Sequence, residues 1–182
     1  MLRGTKVALR ARLEADVAIL HTELYDDVLT RSRGDSRPWR PIAASSPASP
    51  FAIREPSDSV TPFAVVELAG DELAGEALLW SIDTHNRTAH LGISLRPASR
   101  GRGLGTDVVR VLCRYGFAVR GLHRLQVDTL GDNAAMIRSA EKVGFTREAT
   151  LRRSAWVNGE FLDEVILGLL VDEWDGQAES DG

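Results

Sequence analysis

Apolar and polar positions alternate or recur with readable periods along most of the chain. Residues 6–12 carry the alternation of a first strand, and Leu13, Val17, Leu20 and Leu24 then recur at helical spacing up to Asp26-Asp27. The period is lost between Thr30 and Pro62, where Pro38, Pro41, Pro47, Pro50 and Pro56 are separated by many serines. So long a connection in a compact domain predicts a binding loop or a partly disordered segment, with room for short helical turns. Strand patterns resume at 63–68, turn at Gly70-Asp71, run through 75–82, turn again over 83–87 and continue over 88–95. Strands joined by such short polar turns predict an antiparallel meander.

The second half reads as strand, loop, helix, strand, helix and hairpin. Leu104, Val108, Val111, Leu112, Tyr115 and Val119 fall on one helical face. Leu125, Val127 and Thr129 alternate with Gln126 and Asp128, as a strand requires. A second helix runs from Asn133, with Met136, Ile137, Ala140 and Val143 inward and Gly144 as its stop. Asn158-Gly159 between 151–157 and 160–170 is a strong hairpin signal. The pattern predicts a mixed α+β fold forming one domain over 1–172, with an acidic, frayed tail at 173–182.

Composition changes this picture little. The 182 residues suit one full-sized core, and a net charge of −4 argues against a dedicated nucleic-acid binder. The single cysteine, Cys113, excludes an intrachain disulfide and fits a reducing compartment. The start has no apolar signal-peptide region, and no apolar run is long enough to span a bilayer. The expectation is a cytoplasmic protein that engages neither membrane nor nucleic acid.

The candidate chemistry begins at Arg100-Gly101-Arg102-Gly103-Leu104-Gly105-Thr106, between a strand pattern and a helix pattern. Alternate glycines let the backbone bend sharply and present its N–H groups, which together with the helix dipole suit a polyphosphate. A Walker A loop needs Lys-Ser/Thr after its last glycine, and here Thr106-Asp107 follows Gly105. A dinucleotide fingerprint needs Gly-x-Gly-x-x-Gly in an opening βαβ unit, and both spacing and strand order differ, although Asp128 lies about where a ribose-binding acid would sit.

What remains is Arg-x-x-Gly-x-Gly at Arg100, Gly103 and Gly105, followed by Asn133 and by Glu141-Lys142-Val143-Gly144-Phe145. With Leu9-Arg10, Gly92, His123-Arg124-Leu125 and Asp163 in order, the chain resembles the GNAT N-acetyltransferases. The branch it resembles holds the RimJ/RimL-type ribosomal-protein and spermidine acetyltransferases. The resemblance implies a mostly antiparallel central sheet with a splayed strand pair and helices on both faces. It implies acetyl-CoA as co-substrate, without a metal, its pyrophosphate on the amides from Gly101 through Arg102, Gly103 and Leu104 to Gly105 and Thr106. Arg100 and Arg102 would add charge. The pantetheine arm would pair with the strand at Ile93 and Leu95, where Gly92 suits an irregularity, and Asn133 would reach the thiol end or cap its helix, or both. The partner would be an amine acceptor, a small molecule or a protein N-terminus; the sequence does not read out an oligomeric state, although a homodimer is common in the family.

For proton transfer, His90 stands where many relatives carry glutamate, and histidine changes charge near neutrality. Ala140 stands where many carry a tyrosine acid, so Ser139 or solvent would protonate the thiolate. The resemblance implies that residues 30–62 and the last hairpin border the acceptor, with Trp39 and Trp156 as candidate aromatic walls. Asp26 and Asp27 would attract a cationic acceptor, and Asp163 would make a structural hydrogen bond. The alternative to an enzyme is a silent acyl-CoA-binding domain.

Overall fold

The structure is a computed structural model describing residues 1–35 and 37–176. In chain order it contains β1 (Leu2–Arg3), β2 (Val7–Arg10), α1 (Glu14–Leu24), α2 (Val28–Gly34), β3 (Val60–Glu67), β4 (Glu72–Asp83) and β5 (Thr88–Leu95). There follow α3 (Leu104–Arg114), β6 (Arg124–Leu130), α4 (Ala134–Glu141), β7 (Thr146–Val157) and β8 (Glu160–Leu170). The strands form an eight-stranded sheet in the order β1-β2-β3-β4-β5-β6-β8-β7. Every pairing is antiparallel except that of β5 with β6.

Alternation puts two different apolar sets on the two faces. Val65, Ala77, Leu79, Ala89, Leu91, Leu125 and Val127 join Leu104, Val108, Val111 and Leu112 of α3 and Ile137 and Ala140 of α4 in the main core. The opposite face carries a smaller core in which Ala64 and Leu73 meet Val17, Leu20 and Leu24 of α1, with Tyr25 and Phe51. Helices therefore cover both faces, as the resemblance implied.

Of the two alternatives for 30–62, a binding loop or a partly disordered segment, the structure shows an ordered, largely non-periodic connection that opens on a short helix. Asp27 does not end the first helix but caps the next one, accepting from Leu29 N (3.1 Å), Thr30 N (3.3 Å) and Thr30 Oγ1 (2.8 Å). The non-periodic remainder is held by side chains of α1 and its end. His21 is buried, with Nδ1 2.9 Å from Ser49 Oγ and Nε2 2.8 Å from Ile42 O. The Tyr25 hydroxyl donates to Arg40 O at 2.9 Å. These contacts lack any sequence period, so a periodicity argument misses them.

At the other end, Glu173 and Trp174 are docked rather than frayed: Leu170 N donates to Glu173 Oε2 (3.0 Å), and Trp174 lies 5.3 Å from Phe117, ring to ring. The remainder of the expected tail, 177–182, lies outside the described residues. The Asn158-Gly159 turn is as expected, with φ of 50° and 97°. β7 begins at Thr146, before the expected 151, and its alternation is interrupted by one bulge between Arg147 and Ala149 and another between Leu151 and Ala155. Within the second bulge Arg153 N donates to Asp163 Oδ1 at 2.9 Å, the structural hydrogen bond expected of Asp163.

Candidate active site

Two strands that begin as a pair and then separate define the site. β5 and β6 are in register only at Thr88↔Arg124, Ala89↔Leu125 and His90↔Gln126. Beyond His90, β5 keeps its ladder to β4, with Gly92 opposite Leu78, Ile93 opposite Ala77 and Leu95 opposite Gly75. β6 pairs with β8 along its whole length. The edges of β5 and β6 that face each other are thus unpaired from 92 onward, and Ile93 and Leu95 lie on the open side of this fork. The β4–β5 ladder passes through Gly92 unbroken, while the pairing with β6 has already ended at His90, so the expected splay begins beside this glycine. Its missing side chain makes room, since a Cβ there would stand 3.1 Å from Leu78 Cδ2 and 3.8 Å from Trp80 Nε1.

The glycine loop leads from the end of β5 into α3. Gly101 (φ 74°) and Gly103 (φ 77°) occupy the left-handed region that glycine alone adopts freely. Gly103 is the N-cap of α3 and supplies no side chain, so no side chain caps the helix start. An anion facing this turn would meet backbone N–H groups and the positive end of the dipole. The first-turn acid does not compete for that position. The buried Asp107 carboxylate turns to the β1–β2 turn instead, accepting from Thr5 N (3.2 Å), Lys6 N (2.7 Å) and Val7 N (2.9 Å).

The loop side chains are largely occupied elsewhere. Leu104 is buried in the main core. Arg102 pairs with Glu67 at 2.5 Å, while its carbonyl accepts from Lys6 Nζ at 3.3 Å. Arg100 Nε donates to Leu95 O at 3.0 Å. Thr106 Oγ1 donates to Ser139 Oγ (3.3 Å), which puts Ser139 in the α3–α4 contact with no link to His90. Asn133 caps α4, accepting from Met136 N (3.2 Å) and donating to Thr129 Oγ1 (2.9 Å). Ala140 is fully buried, so that position takes no part in proton exchange with the cleft.

On the face opposite α3, side chains from β4, β5 and β6 converge at the fork. His90 Nδ1 is hydrogen-bonded to Asp128 Oδ2, and its ring centroid lies 4.4 Å from that of Trp80 at 42°. A bulge at Ser81 (φ 50°) shifts the β4–β5 register beside Trp80, and the indole stays 40% exposed. Burial pushes the Asp128 carboxyl up, but hydrogen bonds from His90 and Gln126 hold it below the usual carboxylate range. Trp80 had no distinguishing signal in the sequence and Asp128 stood out only as a candidate acid of a dinucleotide fold, because an outward strand position looks alike whether or not it borders a cleft.

The two candidate acceptor tryptophans are not together. Trp39 packs on Tyr25, 6.2 Å between rings, and its Nε1 donates to Tyr25 O at 3.0 Å. Trp156 lies on the last hairpin against Phe161, 4.8 Å between rings, and is 62% exposed. Among the described residues no group of His, Cys, Asp and Glu could hold a metal ion.

The acetyltransferase (GNAT) domain profile matches residues 6–146. The chain belongs to the GNAT acetyltransferase family. It is 30% identical over 121 residues to the probable N-acetyltransferase YjcK of Bacillus subtilis, a match covering 66% of this chain and 67% of that protein. It is 31% identical over 101 residues to the spermidine N(1)-acetyltransferase of Escherichia coli K12, covering 56% and 54%. The chain thus spans about half to two thirds of the length of such curated relatives. A Vibrio cholerae spermidine N-acetyltransferase crystallised with CoA and spermine superposes with a TM-score of 0.82 at 20% identity, over 93% of this chain and 98% of that one. RimL, a ribosomal L7/L12 α-N-protein acetyltransferase solved with coenzyme A, gives 0.78 at 20% identity, over 93% and 96%.

Proposed function

We propose that this protein moves the acetyl group of acetyl-CoA to a primary amine, with both substrates bound at once. The observation that carries the reading is the β5–β6 fork, which ends its ladder at His90 and opens toward a glycine turn at an uncapped helix start. Acetyl-CoA supplies an activated acyl group, and the chain supplies its anchorage and the proton acceptor. The backbone from Gly101 to Thr106 receives the pyrophosphate, and the unpaired edge at Ile93 and Leu95 receives the pantetheine arm as an added strand would be received. Because Arg102 is engaged by Glu67 and Arg100 by Leu95 O, the backbone is the main phosphate contact and the arginines contribute at longer range.

His90 accepts the proton of the attacking amine, and backbone N–H groups of the splayed strand face the charge that develops on the thioester oxygen. With alanine at position 140 and Ser139 held against Thr106, solvent protonates the departing thiolate. Trp80 beside His90 is a better placed aromatic wall for the acceptor than Trp39, whose indole is spent on Tyr25. The acceptor classes consistent with the relatives are a polyamine and a protein N-terminus. Release of free CoA thiol, followed against a panel of polyamines, N-terminal peptides and small amines, tests the reading. Amine-dependent release supports it. Tight acetyl-CoA binding without turnover on any amine would leave the silent acyl-CoA-binding domain in its place.

A further inference from the structure

From the hydrogen bonds around the fork we infer that Asp128 is a positioning residue, fixing His90 as the Nδ1–H tautomer and leaving Nε2 as the proton acceptor. The inference rests on His90 being the base and adds what makes it one.

Register comes first. His90 is opposite Gln126 at the last rung of the parallel ladder, and Asp128 lies two residues further along β6. The side chains therefore meet diagonally across the point where the strands part. An ionised carboxylate only accepts, so the proton of the Nδ1···Oδ2 hydrogen bond belongs to the imidazole. Neutral His90 then carries its lone pair on Nε2, which has no hydrogen-bond partner among the described residues. Without such a partner a neutral imidazole can place its proton on either nitrogen.

The carboxylate is itself held at both oxygens. Gln126 Nε2 donates to Asp128 Oδ1 at 2.9 Å, and the Gln126 amide is oriented by Arg124, whose NH2 donates to Gln126 Oε1 at 3.2 Å. Arg124 is in turn paired with Glu148. Trp80 fixes the imidazole plane from β4. This chain of contacts keeps Asp128 ionised and its free oxygen aimed at His90, in line with its lowered proton affinity.

As the amine nitrogen bonds to the acyl carbon and the C–S bond breaks, the amine proton passes to Nε2. The imidazolium so formed is stabilised by Asp128, which stays ionised. The thiolate takes a proton from solvent, and His90 returns its own to solvent.

The test is a ¹H–¹⁵N correlation spectrum of the imidazole nitrogens, recorded where His90 is neutral, on the wild-type protein and on Asp128→Ala. His90 is assigned by the signal lost in His90→Gln. The wild type is expected to show the Nδ1–H tautomer and Asp128→Ala a shift toward Nε2–H. In the same variant kcat should fall about 100-fold with KM for acetyl-CoA unchanged, a split that a merely structural pair would not give. A wild-type Nε2–H tautomer overturns the proposal directly and needs no variant to fold. A tautomer shift with kcat unchanged overturns it through the base reading on which it rests, so the two failures are told apart.

Discussion

Between Arg100 and Thr106 the proposed donor contact rests on the backbone, whereas the proton transfer proposed at the fork rests on side chains brought together from β4, β5 and β6. The first region needs only a local turn: left-handed glycines at 101 and 103 and a helix start without a cap. The second needs a parallel register between segments some 38 residues apart, a bulge at Ser81, and an ion-pair chain reaching Glu148. A local device tolerates almost any neighbouring side chain, as Arg102 shows by turning to Glu67. A tertiary device depends on each member. Mutations should therefore separate the two regions, donor binding failing in one and turnover in the other.

The largest expected effect is on turnover. His90→Gln should lower kcat by about 100- to 10,000-fold, with acetyl-CoA affinity by calorimetry unchanged. Next, Gly103→Val should weaken acetyl-CoA binding by about 100-fold or more, because a branched side chain is strained at φ 77° and obstructs the turn. Its circular dichroism spectrum should stay that of the wild type. If affinity survived this change, the donor would be anchored elsewhere and the comparison would break.

Two further changes probe the scaffold behind each region. Arg12 and Glu76 form a buried pair at 2.8 Å beneath α1, and burial pushes Arg12 down and Glu76 up in proton affinity despite their attraction. Arg12→Met should cost about 3–5 kcal/mol near neutral pH, read from the urea midpoint. The sign with pH follows from Glu76. Its folded carboxyl holds a proton more readily than the unfolded one, so the penalty of a lone buried carboxylate applies above that range. The cost should shrink as pH falls and Glu76 becomes neutral. On the donor side, Asp107→Ala leaves the amides of Thr5, Lys6 and Val7 without their acceptor. It should cost about 1–3 kcal/mol and loosen the anchorage of α3.

Much of the structure around the proposed donor loop was legible because its signals are local. The strand over 88–95, the glycine spacing, the α3 start at Leu104 and the Asn158-Gly159 turn each carry their own composition or period. The packing of 30–62 was not, since His21, Tyr25 and Trp39 bind it through single contacts with no repeat. The fork was half legible. His90 stood out through the resemblance, standing where many relatives carry glutamate, while Asp128 and Trp80 acquire their place beside it only once the β5–β6 register is known. Asp107, read from sequence only as the residue that breaks a Walker motif, became an anchor for the N-terminal turn for the same reason.

The most direct measurement is the amine-dependent release of CoA thiol at saturating acetyl-CoA, wild type beside His90→Gln. His90 as the proton acceptor predicts release that requires amine in the wild type and is lost in the variant while acetyl-CoA remains bound. Equal rates in the two proteins would contradict it.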